Sequence, residues 1–166
     1  MEKNKDYKII DNFLLKEEFK KIQEICTYNL PFYYNRAVAD INKTKSDGYY
    51  FCHFFYENNE LKSSMFKEII DPLLKKFKFF ALLKAKANLY PSTSKIKQHD
   101  WHVDFPIPHK GFLFYINTNN GFTILKDGTK IESVANRALF FNSSEKHCST
   151  TCTDQNVRIN ININYV

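Results

Sequence analysis

The sequence predicts a mostly β fold of the α+β kind, a jelly roll supported by N-terminal helices, in one domain over residues 1–166. Three observations predict it. The first eighty residues hold two stretches with apolar residues at helical spacing. From residue 81 on, the chain breaks into about eight short runs rich in aromatic and β-branched residues, separated by turns such as Asp127-Gly128. With 166 residues, 43% of them hydrophobic, the chain can bury one core and is too apolar for a disordered segment.

Residues 1–80 are expected to form the helical support and the first strands. Leu15, Phe19, Ile22 and Cys26 recur at helical spacing with Lys and Glu between them, so residues 15–28 read as an amphipathic helix. Residues 32–37 and 49–56, rich in Tyr and Phe, read as strands. The polar stretch 39–48 between them reads as a loop and a candidate lid. Phe66, Ile69, Ile70, Leu73, Leu74 and Phe77 form the apolar stripe of a second helix over residues 64–77. Asp71-Pro72 marks a kink there, because proline lacks an N–H and clashes with the preceding turn.

Residues 81–166 are expected to form the jelly-roll core, with strands at 81–90, 95–104, 111–117, 121–126, 129–133, 137–142, 147–152 and 157–164. Residues 157–164 alternate strictly: Val157, Ile159, Ile161 and Ile163 on one face, Arg158, Asn160, Asn162 and Asn164 on the other. A water-facing strand in so lysine-rich a chain would carry Lys and Glu. Asn with Arg points to an enclosed polar cavity.

The net charge is +6, carried by 21 Lys and only three Arg. Lys75, Lys76, Lys78, Lys84 and Lys86 read as a solvated lysine-rich surface, able to draw an anionic partner but not evidence of nucleic-acid binding. No apolar run is long enough to span a membrane and the first ten residues lack a signal-type run, so the expectation is a soluble cytoplasmic protein with no membrane partner. Cys26, Cys52, Cys148 and Cys152 are then expected as reduced thiols packed like small hydrophobes.

The chemistry centres on His102-Val103-Asp104. On a strand, residues i and i+2 share a face, so an imidazole and a carboxylate converge on one point. His147, which opens another strand-like run, supplies a third ligand. Two His and one carboxylate leave open positions on a metal, the arrangement that suits iron(II) binding a chelating co-substrate and O2. Arg158 then offers a buried fork for a carboxylate. The rival chemistry is a zinc site built from His99, His102, Cys148 and Cys152, which leaves Asp104, His147 and Arg158 unexplained. His53 reads as a packed core histidine or a substrate-face residue. His109 reads as exposed, Trp101 as packed or shaping an entrance, and Arg137 as structural.

The order His102-x-Asp104, His147, Arg158 resembles the iron(II)/2-oxoglutarate-dependent dioxygenases, and within them the prolyl 4-hydroxylase-like branch. Asn88-Leu89-Tyr90-Pro91, Phe114-Tyr115-Ile116-Asn117, Gly121-Phe122-Thr123 and the run from Asn136 to Asn142 resemble its neighbouring strands, so the likeness covers roughly residues 80–166. The gap from Tyr90 to His102 is slightly longer than in that branch, and one glycine of a Gly-Gly-x-Thr turn is replaced by Asn120.

The resemblance implies a double-stranded β-helix, with iron(II) on His102, Asp104 and His147 and 2-oxoglutarate on Arg158. Tyr90, Tyr115, Thr123 and Asn160 would line the co-substrate pocket. It also implies O2 as oxidant, ascorbate as reductant, succinate and CO2 as products, and a C–H bond as the group hydroxylated. A prolyl residue in a peptide or protein is the expected substrate, with a nucleobase or small metabolite as alternative. A jelly-roll binding module without turnover is the alternative of another class. The oligomeric state is not legible.

Overall fold

The structure is a computed structural model that describes residues 6–38 and 48–166. The expected loop at 39–48 therefore lies outside the described residues, apart from Gly48. Eleven strands and three short helices are described. Helix α1 (Lys16–Glu24) runs into one π-type turn (Ile25–Asn29). It buries Phe19 and Ile22, and the Phe19 ring meets Phe114 edge-on at 5.9 Å. The expected helix at 64–77 is two pieces, α2 (Phe66–Ile69) and α3 (Asp71–Leu74). Pro72 sits in the first turn of α3, where its missing N–H costs nothing.

The larger sheet has the order β1-β9-β6-β11-β5-β3-β2, with β4 (Glu60–Leu61) added against β3. Its strands are β1 (Tyr7–Ile10), β2 (Tyr33–Asn35), β3 (Tyr50–Glu57), β5 (Leu82–Pro91), β6 (Lys110–Tyr115), β9 (Ala138–Phe141) and β11 (Val157–Tyr165). The smaller sheet is β10-β7-β8: β10 (His147–Ser149), β7 (Asn119–Leu125) and β8 (Lys130–Ser133). All the strand pairings are antiparallel. Together they form the jelly roll, or double-stranded β-helix, that the sequence predicts, with the helices packed on one face of the larger sheet.

β11 is the central strand and is buried on both faces. Its isoleucines Ile159, Ile161 and Ile163 join Phe19, Ile22, Phe55, Ile69, Leu73, Phe112 and Phe114 in the main core beneath the helices. Its other face looks between the sheets. Register places Tyr90, Asn88, Lys86 and Lys84 of β5 opposite Arg158, Asn160, Asn162 and Asn164. On the other side, Tyr115, Leu113 and Gly111 of β6 stand opposite Asn160, Asn162 and Asn164. A polar floor thus runs across the middle of the jelly roll.

Two expectations fail here for physical reasons. Residues 95–104 do not form a strand; isolated bridges, Gln98 to Thr150 and His102 to His147, and scattered hydrogen bonds such as His99 N–H to the Ser149 carbonyl oxygen tie the segment down. Pro106 and Pro108 follow closely, and a proline cannot donate to a ladder. Lys84 and Lys86 are not part of a solvated patch, since the alternation of β5 turns both inward onto the polar floor.

Candidate functional site

His102 and His147 are brought together by main-chain pairing. Each donates its N–H to the other's carbonyl oxygen at 3.0 Å, the closed pair of an antiparallel bridge. Their rings lie 4.6 Å apart. Asp104, two residues on, brings Oδ1 to 4.0 Å from His102 Nε2 and Oδ2 to 3.7 Å from His147 Nε2. One ligand atom from each of the three lies within 4.8 Å of the others, and no other group of three metal-ligating side chains converges so among the described residues. Cys148 and Cys152 are free, buried thiols outside that group.

The ring orientation suits ligation. His102 Nδ1 lies 3.2 Å from the carbonyl oxygen of Asp100, and His147 Nδ1 lies 3.0 Å from that of Glu145. A carbonyl accepts only, so Nδ1 carries the proton in each ring and Nε2 presents its lone pair toward Asp104. Burial lowers the His102 pKa from its ordinary 6.5, and His147 lowers it further, which favours the neutral, ligating imidazole. Burial alone would raise the Asp104 carboxyl. His147, Lys84, His102 and Lys86 around it outweigh this and hold it well below the usual carboxylate range.

Two asparagines of β11, Asn162 and Asn164, read from sequence as lining alone, touch this carboxylate. Asn164 Nδ2 donates to Asp104 Oδ2 at 2.7 Å, and Asn162 Nδ2 lies 3.4 Å from the same atom. Asp104 is thereby aimed although its own segment is irregular.

At the other end of β11, Arg158 is fully buried. Its Nε donates to Ser133 Oγ at 2.8 Å and its Nη2 to Thr123 Oγ1 at 3.0 Å. The guanidinium carbon lies 5.4 Å from the Tyr90 ring centroid and 5.8 Å from that of Tyr115. Nη1 has no hydrogen-bond partner, and no acidic side chain pairs with the group among the described residues. A buried guanidinium with a free donor calls for an anion, and a carboxylate fits its fork.

Tyr115 donates its hydroxyl to Thr123 Oγ1 at 2.8 Å; burial pushes its phenol pKa up, so it stays a donor. Tyr90 is stacked between Tyr50 and His99, at 5.6 Å and 5.3 Å. Asn160 Oδ1 accepts from Asn88 Nδ2 at 2.9 Å. A small cavity lined by His102, His147, Tyr90, Thr123, Asn88 and Asn160 links the histidine pair to the neighbours of Arg158. A larger, mostly apolar groove beside β1, lined by Ile10, Phe13, Phe77 and Phe140, contains none of these groups.

The residues present therefore fit both a divalent metal and a dicarboxylate. Ser133 and Asn88 were missed from sequence, although the spacing Lys84-x-Lys86-x-Asn88-x-Tyr90 mirrors that of β11 and marks an inward polar face. His109, expected to be exposed, is buried with Nδ1 at 2.7 Å from the Ile107 carbonyl oxygen. His53 is buried, with Nδ1 at 2.8 Å from the Pro31 carbonyl oxygen. Trp101 is 42% exposed, and Arg137 forms a two-pronged pair with Asp11 at 2.6 and 3.1 Å.

No family model and no curated protein matches the sequence. Solved structures do match in fold. A viral collagen prolyl hydroxylase from Paramecium Bursaria Chlorella virus-1, solved as its 2-oxoglutarate complex, aligns with a TM-score of 0.65 at 16% identity, over 98% of each chain. An oxidoreductase of the 2-oxoglutarate–iron(II) oxygenase family from Burkholderia pseudomallei gives 0.74 at 14% identity, over 96% of this chain and 84% of that one. A prolyl hydroxylase from Trichoplax adhaerens, in complex with a hypoxia inducible factor peptide fragment, gives 0.62 at 15% identity, over 98% and 84%. The protein shares the fold of these oxygenases.

Proposed function

We propose that this protein is an iron(II)- and 2-oxoglutarate-dependent dioxygenase that hydroxylates a C–H bond, of the prolyl 4-hydroxylase-like kind. One observation carries the reading: a fully buried guanidinium with an unmet donor lies on the same strand face as the asparagines that hold a converging His-Asp-His set. A structural arginine would be paired, and a structural zinc site would not need one. The fold shared with the oxygenases above supports the same reading.

His102, Asp104 and His147 would hold the metal. Arg158 would bind the distal carboxylate of 2-oxoglutarate, with Thr123 and Tyr115 fixing the guanidinium and Tyr90 and Asn160 walling the pocket. Iron(II) with 2-oxoglutarate and O2 supplies the oxidising power, with succinate and CO2 as by-products and one oxygen atom inserted into the substrate. The chain's part is geometry and charge. It favours the neutral form of the His102 imidazole, holds the Asp104 carboxylate ionised, and seats the co-substrate where water is largely excluded.

A prolyl residue in a peptide or protein is the substrate the sequence resemblance favours, and the peptide-bound neighbour supports it. The test is succinate release from 2-oxoglutarate with iron(II), O2, ascorbate and a proline-containing peptide. Succinate formed in step with hydroxylated peptide, and lost in Asp104→Ala, is the expected result. A protein that binds iron and 2-oxoglutarate yet forms no succinate with any acceptor would instead be a binding module.

A further inference from the structure

We propose that Lys84 and Lys86, side by side on the inward face of β5 next to the Asp104 carboxylate, form an anion-recognition wall, so that the molecule oxidised carries a carboxylate or phosphate group. This rests on the reading of the metal centre given above and adds to it the class of substrate.

Position separates this wall from the co-substrate pocket. Lys84 pairs in register with Asn164 and Lys86 with Asn162, the two asparagines that reach Asp104. Arg158 sits six residues from Asn164, so it lies about 20 Å away along the strand at the usual rise. The lysines therefore flank the metal from the end opposite Arg158. Phe105, directly after Asp104, packs under the Lys84 ammonium at 4.6 Å from its ring centroid. Lys86 Nζ donates to Tyr50 Oη at 3.2 Å and lies over the Tyr50 ring at 5.2 Å.

Both charges act on Asp104 at longer range but form no ion pair with it. Neither ammonium has a carboxylate within ion-pair distance among the described residues. Glu57 faces Lys84 across the β3–β5 register without bridging to it. Burial and the charge of Lys86 both lower the Lys84 pKa, whereas Tyr50, Tyr90 and Asp104 outweigh burial at Lys86 and raise its pKa, so Lys86 is the firmly held cation and Lys84 the one its neighbour disfavours. A divalent metal, the Asp104 carboxylate, dianionic 2-oxoglutarate and Arg158 would cancel one another. The two lysines remain, and Glu57 offsets only one of them. Two inward lysines packed on aromatic rings would be poor core residues, since apolar side chains of similar volume fill such space better. An incoming anion gives them a partner at the moment substrate binds.

The test uses the protein loaded with Zn(II), an inert stand-in, and saturating 2-oxoglutarate, so that Arg158 is occupied. Saturation-transfer NMR compares N-acetyl-L-proline with N-acetyl-L-prolinamide, and thymidine 5′-monophosphate with thymidine. One anionic member should bind about tenfold tighter than its neutral partner, as one charge-assisted hydrogen bond implies. The preference should vanish in the K84Q/K86Q variant and return in K84R/K86R. Preference within the first pair identifies a carboxylate, and within the second a phosphate. Equal binding of charged and neutral members, or a preference that survives in K84Q/K86Q, overturns the proposal. Zinc content is measured separately. A protein that takes up no zinc refutes the metal centre, while the same spectra recorded in the R158Q background, with and without K84Q/K86Q, still decide for or against the lysine wall.

Discussion

Asn164 Nδ2 lies 2.7 Å from Asp104 Oδ2, across sixty residues of sequence, and this bond fixes the carboxylate of the His-Asp-His group from the central strand. Asp104 stands in a segment with no regular pairing, so its aim depends on what it touches. Outer partners of this kind set metal affinity. Asn164→Ala should weaken divalent-metal binding by about 10–100-fold. Titration with Mn(II) followed by EPR measures it, and an unchanged affinity would show that Asp104 is held by other means.

Neighbouring residues of β11 should fail in different ways. Ile161 is fully buried in the main core, and Ile161→Ala should cost about 2–5 kcal/mol of stability. Asn162 faces the other way, toward Asp104. Asn162→Ala should lower metal affinity while costing far less stability. Urea denaturation and metal titration of the two variants separate the effects, and a reversal would contradict the face assignment.

Gly121 presses on Arg158. A Cβ at this position would stand 2.8 Å from Arg158 Cδ and 2.8 Å from the Thr151 carbonyl oxygen. The carbonyl is main chain and cannot swing aside, so the arginine must. Gly121→Ala should cost about 1–3 kcal/mol and weaken 2-oxoglutarate binding with little effect on the metal. Calorimetric titration with each ligand would show it.

His53 makes a pH test that is independent of the metal site. Burial draws its pKa below the ordinary 6.5, against a smaller opposing effect from the Pro31 carbonyl. As pH falls, the unfolded chain takes up the proton first, so stability is full above about 6.5 and drops below it. His53→Gln removes this contribution. The fall in urea midpoint between pH 7.5 and 5.5 should therefore be smaller in the variant than in the parent protein, and an equal fall would rule the contribution out.

Much of this was legible because period-2 alternation in β11 is unambiguous. It separated the isoleucine face from the Arg158–Asn164 face without any knowledge of the partners. The His102-x-Asp104 pair was found for a reason that the structure does not sustain. The two residues do not share the face of a strand; they converge through the bridge to His147 and the reach of Asn164, both long-range contacts that no local pattern encodes. The inward lysines were misread because clustered Lys ordinarily marks solvated surface, and only the pairing of β5 with β11 turns Lys84 and Lys86 to the interior. Ser133 left no signal at all, since an isolated serine at a strand end is common. The helix at 64–77 split where its proline sat.

The central claim is that one buried arginine and one metal group act on the same small molecule. Calorimetric titration of 2-oxoglutarate into the protein with and without Mn(II), repeated with Asp104→Ala and Arg158→Gln, tests it most directly. One site per chain is expected, tight only with metal present, lost in Asp104→Ala and at least about tenfold weaker in Arg158→Gln. Binding that is indifferent to the metal, or unchanged in Arg158→Gln, would contradict it.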